Sequence, residues 1–437
     1  MKSPMNPAVC LVFILTFLVV LIPVQATQYQ DNPEDLSSPG PDSQAYPLKV
    51  ALYPYITDVN HDNNAYLLSI MKHQFQNKNP SINLTVMMDP AYDCYNLTNL
   101  PGIFSEDGPQ LVEADLSLLG YLVDNGYVRQ IPDQSLERNI RSQAIPAGRY
   151  RYMTYAIPTW ICSQFLFSRD KSISHVHSVS ELFDLFRKHS SEYSQMLSSD
   201  FQGGSYWMLP MLYVFAYADN AGYTRMKEAL YGLVNQSSVN TMTQTMDWCS
   251  VGETNNCLNG YYYNHSPTLV FARNKTYSYN GFSENLYNIR RTDPNSTLYV
   301  TPTPYGNNQN PLIWADGLVI NKKACDDQCV EAASRFISYY NSIEVKTLIA
   351  FSKDAYSPAP PRYVLPSTQD FYRSEPVQRD RYYQAFEKGI DTAESFPNTG
   401  IVANISPRYQ DICTRVKKNI PDTYCFCGSE DPGLQVE

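Results

Sequence analysis

The sequence is poor in charge and in the residues that most often carry catalysis. Asp, Glu, Lys and Arg make up only 17% of its 437 residues, and six residues are His. Basic groups are the minority: 33 Lys and Arg face 43 Asp and Glu, a net charge of −10. Counterion release from a phosphate backbone therefore has no source, and nucleic acid is a poor partner. No Gly-x-Ser-x-Gly elbow, Walker loop, His-Glu-x-x-His pair or helix-opening Gly-x-Gly-x-x-Gly occurs, which weakens the usual hydrolase, nucleotide and zinc-enzyme readings. Only His175 and His177 lie together, in a Ser-rich loop, and Cys325-x3-Cys329 and Cys425-x-Cys427 lack the second half of a zinc-ligand spacing. No metal and no cofactor are expected. Past residue 26 no run approaches the roughly 18 apolar residues of a membrane span.

What is abundant is aromatic: 35 residues are Tyr, and hydrophobic residues reach 43%. An aromatic-rich, acidic globular chain suits a small neutral or cationic ligand. Residues 1–26, with Lys2 as the lone charge, the apolar run Val9 to Leu21 and a small-x-small site at Val24-Gln25-Ala26, read as a signal peptide. Its removal takes one basic group and changes the net charge from −10 to −11. The product is expected to be soluble and secreted, outside the cell or within the secretory lumen. Glycosylation sequons at Asn83, Asn96, Asn235, Asn264, Asn274, Asn295 and Asn404 agree with that route, Asn264 being weakened by Pro267.

Of the ten cysteines, Cys10 lies in the leader, so an odd number remains for an oxidising compartment. Cys249 with Cys257 and Cys325 with Cys329 close small loops, and Cys413, Cys425 and Cys427 cluster near the end, where Cys94 can join them. Cys162 is left over. It ends the apolar strand-like stretch Tyr155-Ala-Ile-Pro-Thr-Trp-Ile-Cys162, and two readings stand: a reactive nucleophile, or a buried core thiol.

Periodicity predicts an α/β chain. A lead-in over 27–47 precedes a strand from Leu48 to Ile56, a helix capped by Asp62 or Asn63 that buries Leu67, Ile70, Met71 and Phe75, and a strand over Ile82 to Met87. Leu111 to Ala114 is a strand ending in Asp115, followed by a helix to Gly126. Ser178-x-x-Glu181 is a capping box, Gly203-Gly204-Ser205 a turn into an apolar helix, and helices are expected near 223–233 and 239–248. Tyr-rich strand material fills 261–287, Leu298–Pro304 leads to a strand over Pro311–Ile320, and helices follow at about 328–346, 380–390 and 408–418.

The residues with chemical potential are Cys162, Glu284, the strand-end carboxylates Asp115 and Asp316, and the aromatics Tyr53, Tyr55, Tyr92, Tyr95, Tyr261 to Tyr263, Tyr277, Tyr279 and Trp314. Beyond the carboxyl ends of strands in an open α/β sheet, such carboxylates would hold a cation. The plainer alternatives also stand: Glu284 as a helix cap, each Tyr as packing.

The order Ala51-Leu-Tyr53-Pro-Tyr55-Ile-x-Asp58, Ala114-Asp115, Ile157-Pro-x-x-Ile-Cys162-x-x-x-Leu-Phe, Gly203-Gly204, Phe282-Ser-Glu284 and Trp314-x-Asp316 resembles thiaminase I (thiamine pyridinylase) from about residue 48 to 420. The resemblance implies a two-lobed type II periplasmic-binding-protein-like α/β fold with crossing strands and a central cleft. Lobe I would take 48–157 and 318–365, and lobe II would take 158–317 and 366–430 with the cysteine-rich end. It also implies that Cys162 attacks C6 of the thiamine pyrimidine, that the thiazole departs, and that a second nucleophile takes the pyrimidine, with Glu284 as base. Tyr53, Tyr55, Tyr95, Phe282, Trp314, Asp115 and Asp316 would bind the substrate, in a monomer whose partners are thiamine and the nucleophilic co-substrate. The family has Tyr where this chain has Phe282 and Trp314, so two hydroxyls are missing. A binding protein on the same fold, taking thiamine or another cation with Cys162 inert, is the competing reading; a Cys–His hydrolase fits less well because no His stands in a familiar order.

Overall fold

Leu48 and Val50 point inward from the first strand, and the chain builds outward from them in repeated strand–helix units. The computed structural model describes residues 45–94, 97–201, 208–231, 234–307, 311–400, 411–412, 414–415 and 418–419. Expectations placed on the leader, on Tyr95, on the Gly203-Gly204 turn and on Cys413, Cys425 and Cys427 lie outside these residues.

In chain order, β1 (Tyr46–Ala51), α1 (Ala65–Lys78), β2 (Ile82–Met87) and β3 (Leu111–Asp115) open the fold. β4 (Ala156–Cys162) and β5 (Gln164–Ser168) follow, then α2 (Val179–His189) and α3 (Met208–Ala221). β6 (Ser278–Phe282), α4 (Asn285–Thr292), β7 (Tyr299–Pro302) and β8 (Leu312–Asn321) come next, then α5 (Asp327–Tyr340), α6 (Ile343–Ala350) and α7 (Arg381–Ile390).

These strands form two main sheets. The larger runs Leu365–Pro366, β4, β8, β3, β1, β2, with β1 parallel to β2 and β3, and β8 antiparallel to β3 and β4. The second runs β7, β5, β6 and Leu197–Ser198. β4 and β5 are separated by Ser163 alone, so the chain passes from one sheet to the other at Cys162-Ser163-Gln164. It returns between β7 and β8. This is the two-lobed α/β architecture expected. Phe75 of α1 meets Phe336 and Tyr339 of α5 at 5.5 and 5.3 Å between ring centres, covering one face of the first sheet. Phe165 and Phe386 of α7 meet at 4.7 Å on the second. Full burial of such a side chain contributes about 1.5–3 kcal/mol.

The structure departs from the predicted elements in four places. β1 ends at Ala51, because Pro54 offers no ladder donor, so Tyr53 and Tyr55 lie in the loop beyond it. Tyr261 to Tyr263 are helical, in Tyr261–Asn264, and a second short helix starts at Pro267. Proline at the first helical position and the four-residue spacing of Tyr261 and His265, whose rings stack at 4.2 Å, favour helix over the β-propensity of Tyr. The helix expected over 328–346 is two, α5 and α6, broken where Asn341 ends one and Ser342 caps the next by accepting from Val345 N. Cys94 carries a buried free thiol, as does Cys162 in its half-buried position; the anticipated bridges Cys249–Cys257 and Cys325–Cys329 are formed. Ser178 and Glu181 make the capping box in full.

Arg362, fully buried, donates to Asp354 at 2.6 and 2.7 Å and to the carbonyls of Thr57 and Ile349 at 2.7 and 3.0 Å. It ties the loop before α1 to the end of α6. Asp354→Ala leaves that guanidinium without its countercharge and is expected to cost about 3–5 kcal/mol of unfolding free energy, read from the denaturant midpoint. A loss below about 1 kcal/mol, the range of exposed pairs, would overturn this role.

Candidate active site

The site grows from the register of β8. Asp316 lies opposite Asp115 at the end of β3, and on the other flank Trp314 lies opposite Cys162 at the end of β4. Three strands thus bring two carboxylates, one thiol and one indole to the same level. Between Asp316 and Gly317 the pairing with β4 slips, leaving Thr159 as the extra residue of a bulge, a device that re-aims side chains. The Thr159 hydroxyl reaches the Asp316 carbonyl at 3.0 Å and also Glu113 Oε1. Gly317 permits the bulge: a Cβ there would stand 2.9 Å from the Ile157 carbonyl oxygen and 2.8 Å from Leu116 Cδ1.

Glu284 arrives from the second sheet. Phe282, the last residue of β6, pairs with Gln164, and two residues on the chain turns into α4 at Glu284, whose carboxylate acts on the Cys162 thiol. Its side chain does not cap α4; the cap-like bond at this turn is from Phe282 N to Asn285 Oδ1, 2.8 Å. Glu284 Oε2 accepts from the Ser283 hydroxyl at 3.2 Å.

Cys162, Glu284 and Asp115 each keep partial exposure, whereas Asp316 is buried. Yet removal from bulk water is the largest influence on the thiol and on Glu284. Burial pushes the Cys162 thiol well above its ordinary range, and the carboxylates of Glu284, Asp316 and Asp115 push it further. Burial likewise raises Glu284. Asp316 rises through burial and then through Asp115, Glu113, Glu284 and Asp93. The Tyr53 hydroxyl rises through burial, Asp316, Cys162, Glu284 and Asp115. These groups act on one another and every influence on the thiol, on Asp316 and on Tyr53 opposes negative charge. A cation among them would act in the opposite direction on each group, so the arrangement favours a cationic guest.

The thiol is thus protonated at neutral pH. Carbamidomethylation of Cys162 is expected to keep accelerating past pH about 9.5, a unit above the ordinary thiol pKa of about 8.5, where an ordinary thiol approaches its plateau. Peptide mass mapping after timed iodoacetamide pulses reads this, and a plateau below that pH would contradict the assigned environment.

Aromatic rings enclose the polar groups. Trp314 contacts Phe215 of α3, Phe396 and Phe282 at 4.8, 5.3 and 6.2 Å between ring centres. Tyr53 and Tyr55 meet edge to face at 5.3 Å. Tyr55 is 41% exposed and its hydroxyl donates to Asp93 at 2.8 Å, so it stands at the rim and outside the carboxylate cluster. The structure therefore brings together Cys162, Glu284, Asp115, Asp316 and Tyr53, with Trp314 and Phe282 adjoining. Among the described residues no group of three or more His, Cys, Asp or Glu is arranged to hold a metal ion.

Sequence reasoning missed the layer beneath. Glu113 is buried, accepts from Tyr53 N at 2.9 Å and from the Tyr340 hydroxyl at 3.2 Å, and faces Lys346 of α6. The signal was available: a Glu inside Leu-Val-Glu-Ala and a Lys inside Val-Lys-Thr-Leu-Ile are charges in apolar runs.

Neither a family model nor a curated protein sequence matches the chain. Solved structures do. Thiaminase I of Clostridium botulinum in complex with thiamin aligns with a TM-score of 0.65 at 20% identity, over 85% of this chain and 100% of that one. Thiaminase I of Bacillus thiaminolyticus aligns with a TM-score of 0.65 at 18% identity, over 86% and 99%. The maltose/maltodextrin-binding domain of Bdellovibrio bacteriovorus, bound to maltotriose, aligns at 0.59 and 15%, over 86% and 96%. The chain has the two-lobed fold of thiaminase I and of periplasmic solute-binding proteins.

Proposed function

We propose that this fold serves an exported thiamine-degrading transferase with Cys162 as nucleophile and Glu284 as base. The observation that carries the reading is a cluster in which Glu284, Asp316 and Asp115 all act on the Cys162 thiol and on the Tyr53 hydroxyl in the direction that opposes negative charge, on strands whose register sets Asp316 opposite Asp115 and Trp314 opposite Cys162. Thiamine supplies the missing charge in its thiazolium. Its aminopyrimidine would be polarised by the strand-end carboxylates, which favour hydrogen bonds to the substrate's donor groups, while Tyr53 and Trp314 offer flat faces.

In the reaction, Glu284 takes the thiol proton as sulfur bonds to C6 of the pyrimidine, concerted because burial and neighbouring charge disfavour a standing thiolate. The π pair of the ring's C5–C6 bond then moves to form an exocyclic C5–methylene double bond as the bond between the methylene carbon and the thiazolium nitrogen breaks; the nitrogen keeps the electron pair of the broken bond, so a neutral thiazole leaves, and the exocyclic pair returns to the ring when the second nucleophile adds. A second nucleophile bonds to the methylene carbon, the sulfur–C6 bond breaks, and the proton returns to sulfur. Phe282 and Trp314 lack hydroxyls; Phe282 contributes contact area alone, and Trp314 a flat face with its indole N–H as the one donor.

A second reading, capture of thiamine without turnover, draws on the environment of the thiol, where burial and then the neighbouring carboxylates favour the protonated, less nucleophilic form. Loss of thiamine on incubation with the mature protein and excess pyridine separates the two. Saturable binding without loss would leave a receptor.

The leader supports removal of residues 1–26 and secretion; the resemblance implies a monomer and lobe boundaries at 157/158, 317/318 and 365/366, whereas the chain changes sheets at Ser163 and between Pro302 and Leu312. Sequons at Asn83, Asn274 and Asn295 are exposed and suited to glycosylation.

A further inference from the structure

Beside the aromatic wall of the site stands an amide with nothing to bind. Gln164, the first residue of β5, is 1% exposed, and among the described residues neither its Oε1 nor its Nε2 has a hydrogen-bond partner. A buried amide in that condition costs free energy for every unmade bond, so its retention calls for a reason. Poor packing of the sheet is not the reason. Asn280 of β6 is as deeply buried, yet its Oδ1 accepts from the Thr303 hydroxyl at 2.5 Å and the Tyr305 hydroxyl at 3.3 Å, and its Nδ2 donates to Ser199 Oγ at 3.1 Å. The main chain of Gln164 is served as well, its carbonyl accepting from Thr303 N at 3.1 Å. Only the side-chain amide is idle.

The register says which way that side chain goes. Gln164 lies opposite Phe282, and opposed residues of an antiparallel pair share a face, with Cβ atoms about 4.5–5.5 Å apart. The next residue, Phe165, takes the other face, against Phe386 of α7. The Phe282 ring in turn meets Trp314, which lies opposite Cys162. Cys162 and Phe282 are half-buried, so a ligand resting on them is one side chain away from the amide, and the broad, two-fold terminal torsion of Gln lets the amide turn to it. Phe282 has no polar atom to offer such a ligand; its partner across the ladder has two. An amide presents an acceptor and a donor side by side, the complement of an amino group next to a ring nitrogen. We propose that Gln164 is a specificity-determining residue that reads the aminopyrimidine of thiamine, its Oε1 accepting from the amino group and its Nε2 donating to the adjacent ring nitrogen. The amino group has two hydrogens, so one remains for a strand-end carboxylate. This deepens the thiamine reading of the site and rests on it.

The test is Gln164→Met in the mature protein, with two probes: thiamine, and its deamino analogue in which hydrogen replaces the pyrimidine amino group. Methionine keeps the length of the side chain and removes both idle polar atoms. Without ligand the variant is expected to be the more stable, with a higher denaturant midpoint at unchanged slope, because nothing that was bonded has been lost. By calorimetry without a co-substrate, thiamine affinity is expected to fall about tenfold or more and that of the deamino analogue by only about threefold, the first losing two hydrogen bonds and the second one. A midpoint below wild type would show an amide already satisfied and structural. Thiamine affinity within about twofold of wild type would remove Gln164 from the ligand, and equal losses for the two probes would take it off the amino group. Each of these overturns the proposal, while a raised midpoint excludes a general failure to fold. A wild type that binds neither probe sinks the thiamine reading and this assignment with it; a wild type that binds thiamine no better than the variant does sinks this assignment alone.

Discussion

Cys162→Ser is expected to abolish thiamine turnover, by roughly 10⁴-fold or more, while the affinity for thiamine stays within about threefold of wild type. Sulfur is the larger, softer nucleophile, and serine's hydroxyl, far less acidic still, would have to be deprotonated in a recess that already opposes negative charge. The substitution removes no ring and no carboxylate, so binding survives. Loss of thiamine in the presence of pyridine, followed by chromatography, reads the first quantity, and calorimetry the second. Undiminished turnover in the variant would remove Cys162 from the mechanism. Zero turnover in both forms, with binding intact, would establish the capture reading instead.

Glu284→Gln is expected to slow formation of the Cys162 adduct by about 10²–10³-fold with little change in thiamine affinity, the range for loss of a general base. Its raised pKa is useful here. A carboxylate that holds a proton more readily than usual is the better acceptor from a thiol that gives one up reluctantly, and the shared cause, burial, raises both together. Mass spectrometry of the intact protein under single-turnover conditions reads adduct growth. The rate for wild type should fall toward acid as Glu284 takes a proton before the substrate arrives, and that limb should vanish in the variant. Equal losses in binding and adduct formation would reduce Glu284 to a structural residue.

Much of this architecture is written in short-range signals. The β1–α1–β2 opening, the capping box at Ser178 and Glu181, the two small disulfide loops and the long β8 strand all follow from spacing that acts within a few residues. The failures share a cause in tertiary context. Tyr261 to Tyr263 have strand propensity, but Pro267 and the packing of Tyr262 into the core select helix. Asn341 and Ser342 end one helix and begin another where a continuous apolar period suggested a single rod. Of the site, the thiol, the acids and the rings were legible as residue types in order. The Thr159 bulge was not, since it exists only as a mismatch between two strands far apart in sequence. Nor was the electrostatic influence between Glu113 and Lys346, which lie on a strand and a helix more than two hundred residues apart.

The division of the site between two sheets has a consequence for how such a protein changes over generations. Cys162, Asp115, Asp316 and Trp314 belong to strands of the first sheet, and Tyr53 to the loop leaving it, whereas Glu284 follows a strand of the second. In the proposed reading, most of the ligand-binding groups and the proton acceptor therefore come from different sheets, with Phe282 of the second sheet the exception. A duplicate gene that drifted at Glu284 alone would keep its grip on the cation and lose its power to destroy it, becoming a carrier or a buffer for the same molecule. The reverse passage, from carrier to enzyme, needs only one acid placed at the edge of the second sheet opposite a thiol already present.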